Sequence, residues 1–205
     1  MNINTFIFDL GGVIIDLDES STIASFSKFT NISIDEINGL VYSSPIFQQY
    51  EKGLINDEEF RWQVRGLFKV DLKDEQIDES WNAMLGEIPK ERIDLLGQLR
   101  KNHKVIILSN TNAIHIRKFN QILFLSTGKS SLNECADYVF FSHELNMRKP
   151  DSEIYEEILK LSATKPQEAL FLDDKLENLD SAGQLGIRTM QISNPSQIFE
   201  LRKYV

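Results

Sequence analysis

Along the chain, apolar residues recur in two periods, and the order of the two suggests an architecture. Thr5-Phe6-Ile7-Phe8 is a short continuous apolar run that ends in Asp9 and is followed at once by Gly11-Gly12. Such a run, bounded by a turn signal, predicts a strand buried on both faces. From Glu19 to about Met84 the period changes to that of helices. Ile23, Phe26 and Phe29 share a face, as do Ile34, Ile37, Leu40 and Val41. Asn56 followed by Glu59 resembles a capping box opening a helix through Phe60, Val64 and Phe68, and a helix over about 73–85 packs Ile77, Trp81 and Leu85. About four helices in succession are expected here. Pro89 starts another, through Ile93, Leu96 and Leu99.

Beyond it strands and helices alternate. The predicted strands are Val105–Leu108, Tyr138–Phe141, Ala169–Leu172 and Thr189–Ile192. The helices between them carry Ile114 and Phe119, then Ile154, Ile158 and Leu161, then Leu179, Ala182 and Leu185 ahead of Gly186. Residues 123–134 resist assignment, and a helix over Ser196–Tyr204 closes the chain. The pattern reads as an α/β fold, a doubly wound parallel sheet with a helical insertion. The expected core comprises 1–16 and 86–205, and the insertion 17–85.

Composition narrows the function classes. The 205 residues are 41% hydrophobic and 26% charged, with a net charge of −9, as expected of a soluble globular protein. An acidic surface repels nucleic acid and anionic membranes, so neither is expected as a partner. One cysteine, Cys135, forms no internal disulfide and is read as a small buried apolar residue. The expected location is the cytoplasm, and the expected assembly a monomer or small homo-oligomer.

Chemistry gathers at the carboxyl ends of the strands: Asp9, Ser109-Asn110, and Asp173-Asp174, with Lys149 in the loop after the third strand. In a parallel sheet these ends converge on one crevice. Three carboxylates there require a cation, and oxygen donors without histidine or thiolate favour Mg²⁺. Lys149 suits a phosphate or an ionised carboxylate, Ser109 offers a hydroxyl and Asn110 a backbone N–H. These are the parts for phosphoryl transfer. Singly, each has a plainer reading: Asp9 as a turn residue, Ser109-Asn110 and Asp173-Asp174 as helix caps, Lys149 as a solvated charge. Their coincidence at strand ends favours the site.

With these residues placed, the chain resembles the haloacid dehalogenase-like (HAD) hydrolase superfamily over nearly its whole length. Asp9-Leu10-Gly11-Gly12-Val13, Ser109-Asn110, Lys149-Pro150 and Asp173-Asp174 with Asn178 are similar to its four motifs in order and spacing. Tyr50 to Ile55 and Met147 to Pro150 resemble the bacterial sugar-phosphate phosphatase branch, which includes the α-D-glucose-1-phosphate phosphatases. The resemblance implies a helical cap over a Rossmann-like core. It implies a phosphatase in which Asp9 attacks phosphorus to form an aspartyl-phosphate, on a small phosphorylated metabolite, plausibly a sugar phosphate. It implies Asp9, the Gly11 carbonyl, Asp173 and Asp174 as Mg²⁺ ligands, and a pocket near Glu51 that meets the substrate.

One position departs. Most phosphatases of the family carry a second aspartate where this chain has Gly11, and general acid–base help of that kind is worth ~10²–10⁴-fold in rate. Asp16 or Asp18 from the loop entering the insertion, or else a water or a substrate group, are the alternatives for that role. Two rival functions follow: a phosphate-binding module with little turnover, motivated by Gly11, and a metal-free 2-haloacid dehalogenase, opposed by the Asp173-Asp174 pair. Gly128-Lys129-Ser130 lacks the preceding glycine of a P-loop. His103, His115 and His143 lack metal-ligand spacing and are expected to be structural; His143 lies close to the Lys149 loop, where a substrate contact is the minor alternative. Phe47, Tyr50, Phe60, Trp62 and Trp81 are expected in the core of the insertion.

Overall fold

Alternate residues of the central strands point to opposite faces, and both faces are covered. The computed structural model of the protein describes residues 3–205, so residues 1 and 2 of the expected core segment lie outside it. The strands β1 (Thr5–Phe8), β2 (Lys104–Ser109), β3 (Tyr138–Phe141), β4 (Ala169–Asp173) and β5 (Arg188–Gln191) form one parallel sheet in the order β3-β2-β1-β4-β5. The helices are α1 (Glu19–Thr30), α2 (Ile34–Ser43), α3 (Ile46–Glu51), α4 (Asp57–Phe68), α5 (Asp74–Asn82), α6 (Lys90–Leu99), α7 (Ala113–Thr127), α8 (Ser142–Leu145), α9 (Ser152–Leu161) and α10 (Leu176–Gln184). Phe6, Phe8, Val105, Ile107, Leu170 and Leu172 form one apolar layer with α6, α7 and the last turns of the chain. Ile7, Ile106, Leu108 and Phe171 form the other with α9 and α10. The period of two along a strand produces this division.

The strand order reverses at β1. From there the chain steps to β2 and β3 on one side and to β4 and β5 on the other. The carboxyl ends of β1 and β4 therefore flank a topological switch point, where open α/β sheets bind ligands.

The insertion has a core of its own. Phe26, Ile37, Phe60, Val64, Ile77 and Trp81 cluster there, joined by Ile114 of α7. Tyr50 stacks on Phe60 at 4.1 Å between ring centroids, and Phe47 packs against Trp81 at 5.0 Å. Asp18, Ser33 and Asn56 cap α1, α2 and α4 by accepting from backbone N–H groups of the first turn. The two connections to the sheet pair with each other: Leu17 bridges Leu85, and Asp16 N–H donates to the Glu87 carbonyl.

Several expectations need correction. The insertion holds five helices, because α3, six residues starting after Pro45, is too short to show a period. The helix expected over 73–85 is shorter at both ends, since Lys73 serves as its N-cap and the Met84 carbonyl accepts from Asp18 N–H. The unassigned stretch 123–134 begins as helix: α7 runs to Thr127 and stops where Gly128 takes φ +76°. Phe124 and Leu125 at its end are exposed, which hid the period. The closing segment, Pro195–Tyr204, is a 3₁₀ helix. Trp62 is not core; 70% of it is exposed.

Candidate active site

Asp9 directly follows β1, its N–H donating to the Leu172 carbonyl of β4. Gly12 then takes φ +71°, and a Cβ there would stand 3.0 Å from Asp174 Oδ2. Only glycine lets this turn close against the Asp174 carboxylate. Asp173 ends β4 with its side chain fully buried. Lys175 N–H donates to Asp173 Oδ1 at 2.8 Å, and Asn178 Nδ2 reaches both oxygens at 2.9 and 3.0 Å.

Lys149 joins these ends. Its Nζ donates to Asp9 Oδ1 at 2.6 Å and to Asp173 Oδ2 at 2.7 Å, with the side chain almost entirely buried. Its backbone is held by one side chain: Lys149 N–H donates to Asn110 Oδ1 at 2.9 Å, and Asn110 Nδ2 donates to the Lys149 carbonyl at 2.8 Å. The Asn110 side chain is thus a clamp on Lys149, a use the sequence reading, which offered only its N–H, did not find. Ser109 is buried at the end of β2 and faces the same cavity.

Asp9, Asp173 and Asp174 each place a carboxylate oxygen within 4.8 Å of the others. Burial pushes the Asp9 carboxyl up to about 7, with Lys149 opposing and Asp173 and Asp174 reinforcing the rise. Asp174 is raised too, by burial and then by Asp173. Burial works against the Lys149 ammonium, but Asp9 and Asp173 outweigh it and hold the lysine protonated. Lys149 and, beside Asp174, Lys175 face these three carboxylates, but Lys175 Nζ also pairs with Glu19 at 3.3 Å, so the ionised cluster is short of positive charge. Its donors are all oxygen. That deficit and donor set fit Mg²⁺. Asp173 already receives three donor groups, whereas among the described residues Asp174 has no carboxylate clamp of that kind.

A cavity of about 280 Å³ lies between this cluster and the insertion. Ile23, Val41, Phe47, Trp81 and Met84 form its apolar wall, and Glu19, Glu51, Arg148 and Lys175 a charged one. Glu51 pairs with Arg148 Nη2 at 3.2 Å. Burial raises the Glu51 carboxyl, with Arg148 opposing. Asp16 and Asp18 are not placed to stand in for the missing acid. Asp16 pairs with Arg92 at 2.8 Å, Asp18 caps α1, and the cavity is lined instead by Leu17 and Glu19.

The histidine at the cavity is His115, not His143. His115 Nε2–H donates to the Trp81 carbonyl at 2.9 Å, while Nδ1 accepts from Asn112 Nδ2 at 3.2 Å. Burial drives its pKa down to about 4. His115 was missed because its partner Trp81 lies 34 residues away; only the N-cap at Asn112, three residues before it, was available as a signal.

Comparison with known proteins agrees with this geometry. A family match to haloacid dehalogenase-like hydrolases spans residues 3–186. This chain belongs to that family. The hydrolase is 33% identical over 192 residues to the D-ribitol-5-phosphate phosphatase of Bacteroides thetaiotaomicron, covering 94% of this chain and 93% of that one. It superposes on a HAD family enzyme of Bacteroides thetaiotaomicron, solved in complex with magnesium and inorganic phosphate, with a TM-score of 0.85 at 35% identity, covering 93% and 94% of the two chains. A HAD-like family hydrolase from Porphyromonas gingivalis gives a TM-score of 0.89 at 29% identity, over 99% of this hydrolase and 98% of that chain. Among the described residues no helix is long and apolar enough to cross a membrane.

Proposed function

We propose that this HAD hydrolase is a Mg²⁺-dependent phosphatase of a small phosphorylated metabolite, a sugar or polyol phosphate. The observation that carries the reading is Lys149 Nζ bridging Asp9 and Asp173 beside Asp174, at the strand ends and under the insertion. Asp9 attacks phosphorus and expels the leaving oxygen, and water then hydrolyses the aspartyl-phosphate. Asp9, the Gly11 carbonyl and Asp174 would hold the ion, with Asp173 supporting them directly or through water. Bound Mg²⁺ supplies electrostatic stabilisation of the phosphoryl oxygens. Lys149 balances the Asp9 charge, and Ser109 Oγ with the Asn110 N–H holds the transferring oxygens. Glu51 meets the leaving group. Segment 17–85 acts as a cap that excludes water from the site formed by 1–16 and 86–205.

The relative's activity on D-ribitol 5-phosphate supports the substrate class. The magnesium and phosphate bound by the structural neighbour support the ion and the chemistry. The net charge of −9 speaks against nucleic-acid and anionic-membrane partners, and the single Cys135 fits a reducing, cytoplasmic setting; the assembly we propose is a monomer or small homo-oligomer. The test is phosphate release across a panel of sugar, polyol and other monoesters, with and without Mg²⁺, beside Asp9→Asn. Release that needs both supports the reading, and release indifferent to either sinks it.

A second reading rests on Gly11 and on Asp16 and Asp18 being engaged elsewhere. With Gly11 where the acid would stand and the neighbouring Asp173 and Asp174 carboxylates turned to Lys149 and the ion, the site would bind phosphate and turn over slowly. Tight binding of a phosphorylated ligand with no release over hours would favour it.

A further inference from the structure

Three residues of the insertion grip the core segment that carries Lys149. Ser142 Oγ donates to the Glu51 carbonyl at 2.6 Å. Asn146 Nδ2 donates to the Lys52 carbonyl at 3.0 Å. Glu51 pairs with Arg148 at 3.2 Å, and Lys52 Nζ with Asp151 at 2.7 Å. Gly53 takes φ +66°, and a Cβ on it would stand 2.1 Å from the His143 carbonyl oxygen. These five contacts run along residues 142–151, on both sides of Lys149. From the sheet side, Asn110 holds the Lys149 backbone and Ser142 Oγ accepts from Thr111 N–H at 2.9 Å.

We propose that Glu51, Lys52 and Gly53 are positioning residues for Lys149, so that docking of the insertion completes the catalytic lysine as well as enclosing the substrate. The proposal rests on the phosphatase reading for its catalytic consequence, but the grip itself can be measured without turnover. The physical basis is local. The segment bearing Lys149 leaves β3 through the single turn of α8 and reaches α9 with little regular structure between them. Its backbone is therefore ordered largely by side-chain and cross-insertion contacts, and such segments open at low cost. An error of about 1 Å in a catalytic group can cost ~10²-fold in rate.

Two readouts test it on the full chain. Gly53→Ala forces the 51–53 stretch off His143. Amide exchange over 142–151 is expected to quicken by about tenfold or more, what ~1.4 kcal/mol of lost local stability gives, while β4 and α10 are unchanged. Should Gly53→Ala fail to fold, Lys52→Met removes one grip without touching the backbone and is expected to quicken the same segment roughly two- to fivefold, the scale of an exposed ion pair. The second readout is kinetic. With acetyl phosphate, whose leaving group is too small to reach the insertion, and with a bulkier monoester, kcat falls by the same factor and KM stays. Unchanged exchange over 142–151 overturns the proposal. So does a loss confined to KM for the bulky ester, since 51–53 then only line the pocket. Absence of turnover in the unsubstituted protein would instead sink the phosphatase reading, and the exchange data would still decide the grip.

Discussion

Replacing the nucleophile should make the metal-free protein more stable. Asp9 is buried beside Asp173 and Asp174, and its carboxyl rises from 3.8 to about 7 in the fold. The folded state thus binds the Asp9 proton more tightly than the unfolded chain. Stability from that proton is full below 3.8 and is lost as pH rises through about 7. A shift of roughly 3 units corresponds to about 4 kcal/mol, already net of the ion pair with Lys149, and an upper figure because a buried carboxylate is relieved in part by relaxation and water penetration. Asp9→Asn is therefore expected to exceed the unsubstituted protein by about 2–4 kcal/mol at pH 8 in chelator, or roughly 5–15 °C in Tm. The gap should shrink towards pH 4. Measuring the difference between the two proteins cancels other titrating groups, His115 among them. Mg²⁺ at about 100 times its Kd should return ~2.7 kcal/mol to the unsubstituted protein and less to the variant. An Asp9→Asn protein equal to or weaker than its parent at pH 8 in chelator would refute the reasoning, because the carboxylate cluster would then not lack positive charge.

Two further outcomes follow from neighbouring residues. His115 is held neutral, its folded pKa of about 4 lying below the ordinary 6.5, so the unfolded chain takes up the extra proton and stability drops by roughly 3 kcal/mol as pH falls through that window. In Mg²⁺-loaded protein His115→Gln should flatten this slope in denaturant titrations, and an unchanged slope would contradict the assignment. Asn110→Ala removes two hydrogen bonds to the Lys149 backbone, each worth about 1 kcal/mol, so kcat should fall with KM little changed. A rise in KM alone would show that Asn110 acts on the substrate.

Much of the fold is legible because its strands are continuous apolar runs flanked by polar residues. Phe6 to Phe8 and Val105 to Leu108 are short, mostly β-branched or aromatic runs that read as strands buried on both faces, and a parallel sheet then brings Asp9, Ser109 and Asp173 to one edge. What escapes is set by contacts distant in sequence. Asn110 reads as a cap residue until Lys149, 39 positions on, meets both ends of its amide. His115 is structural as expected, but its partner is not legible, since the Trp81 ring it stacks on at 4.8 Å and the Trp81 carbonyl it donates to lie 34 residues away. Helix α3 escapes because six residues cannot display a 3.6-residue period. Trp62 misleads because an aromatic on a helix surface looks, residue by residue, like one in a core; only the packed structure exposes it. Gly53 carries no local sign that a carbonyl of another segment leaves no room for a Cβ on it.

The central claim is that Asp9 carries the phosphoryl group. The direct measurement is a rapid acid quench of the Mg²⁺-loaded enzyme during turnover of a phosphate-labelled monoester, followed by peptide mapping. The account predicts a hydroxylamine-labile label on the peptide containing Asp9, absent from Asp9→Asn. Turnover that leaves that peptide unlabelled, or a label on any other residue, would contradict it.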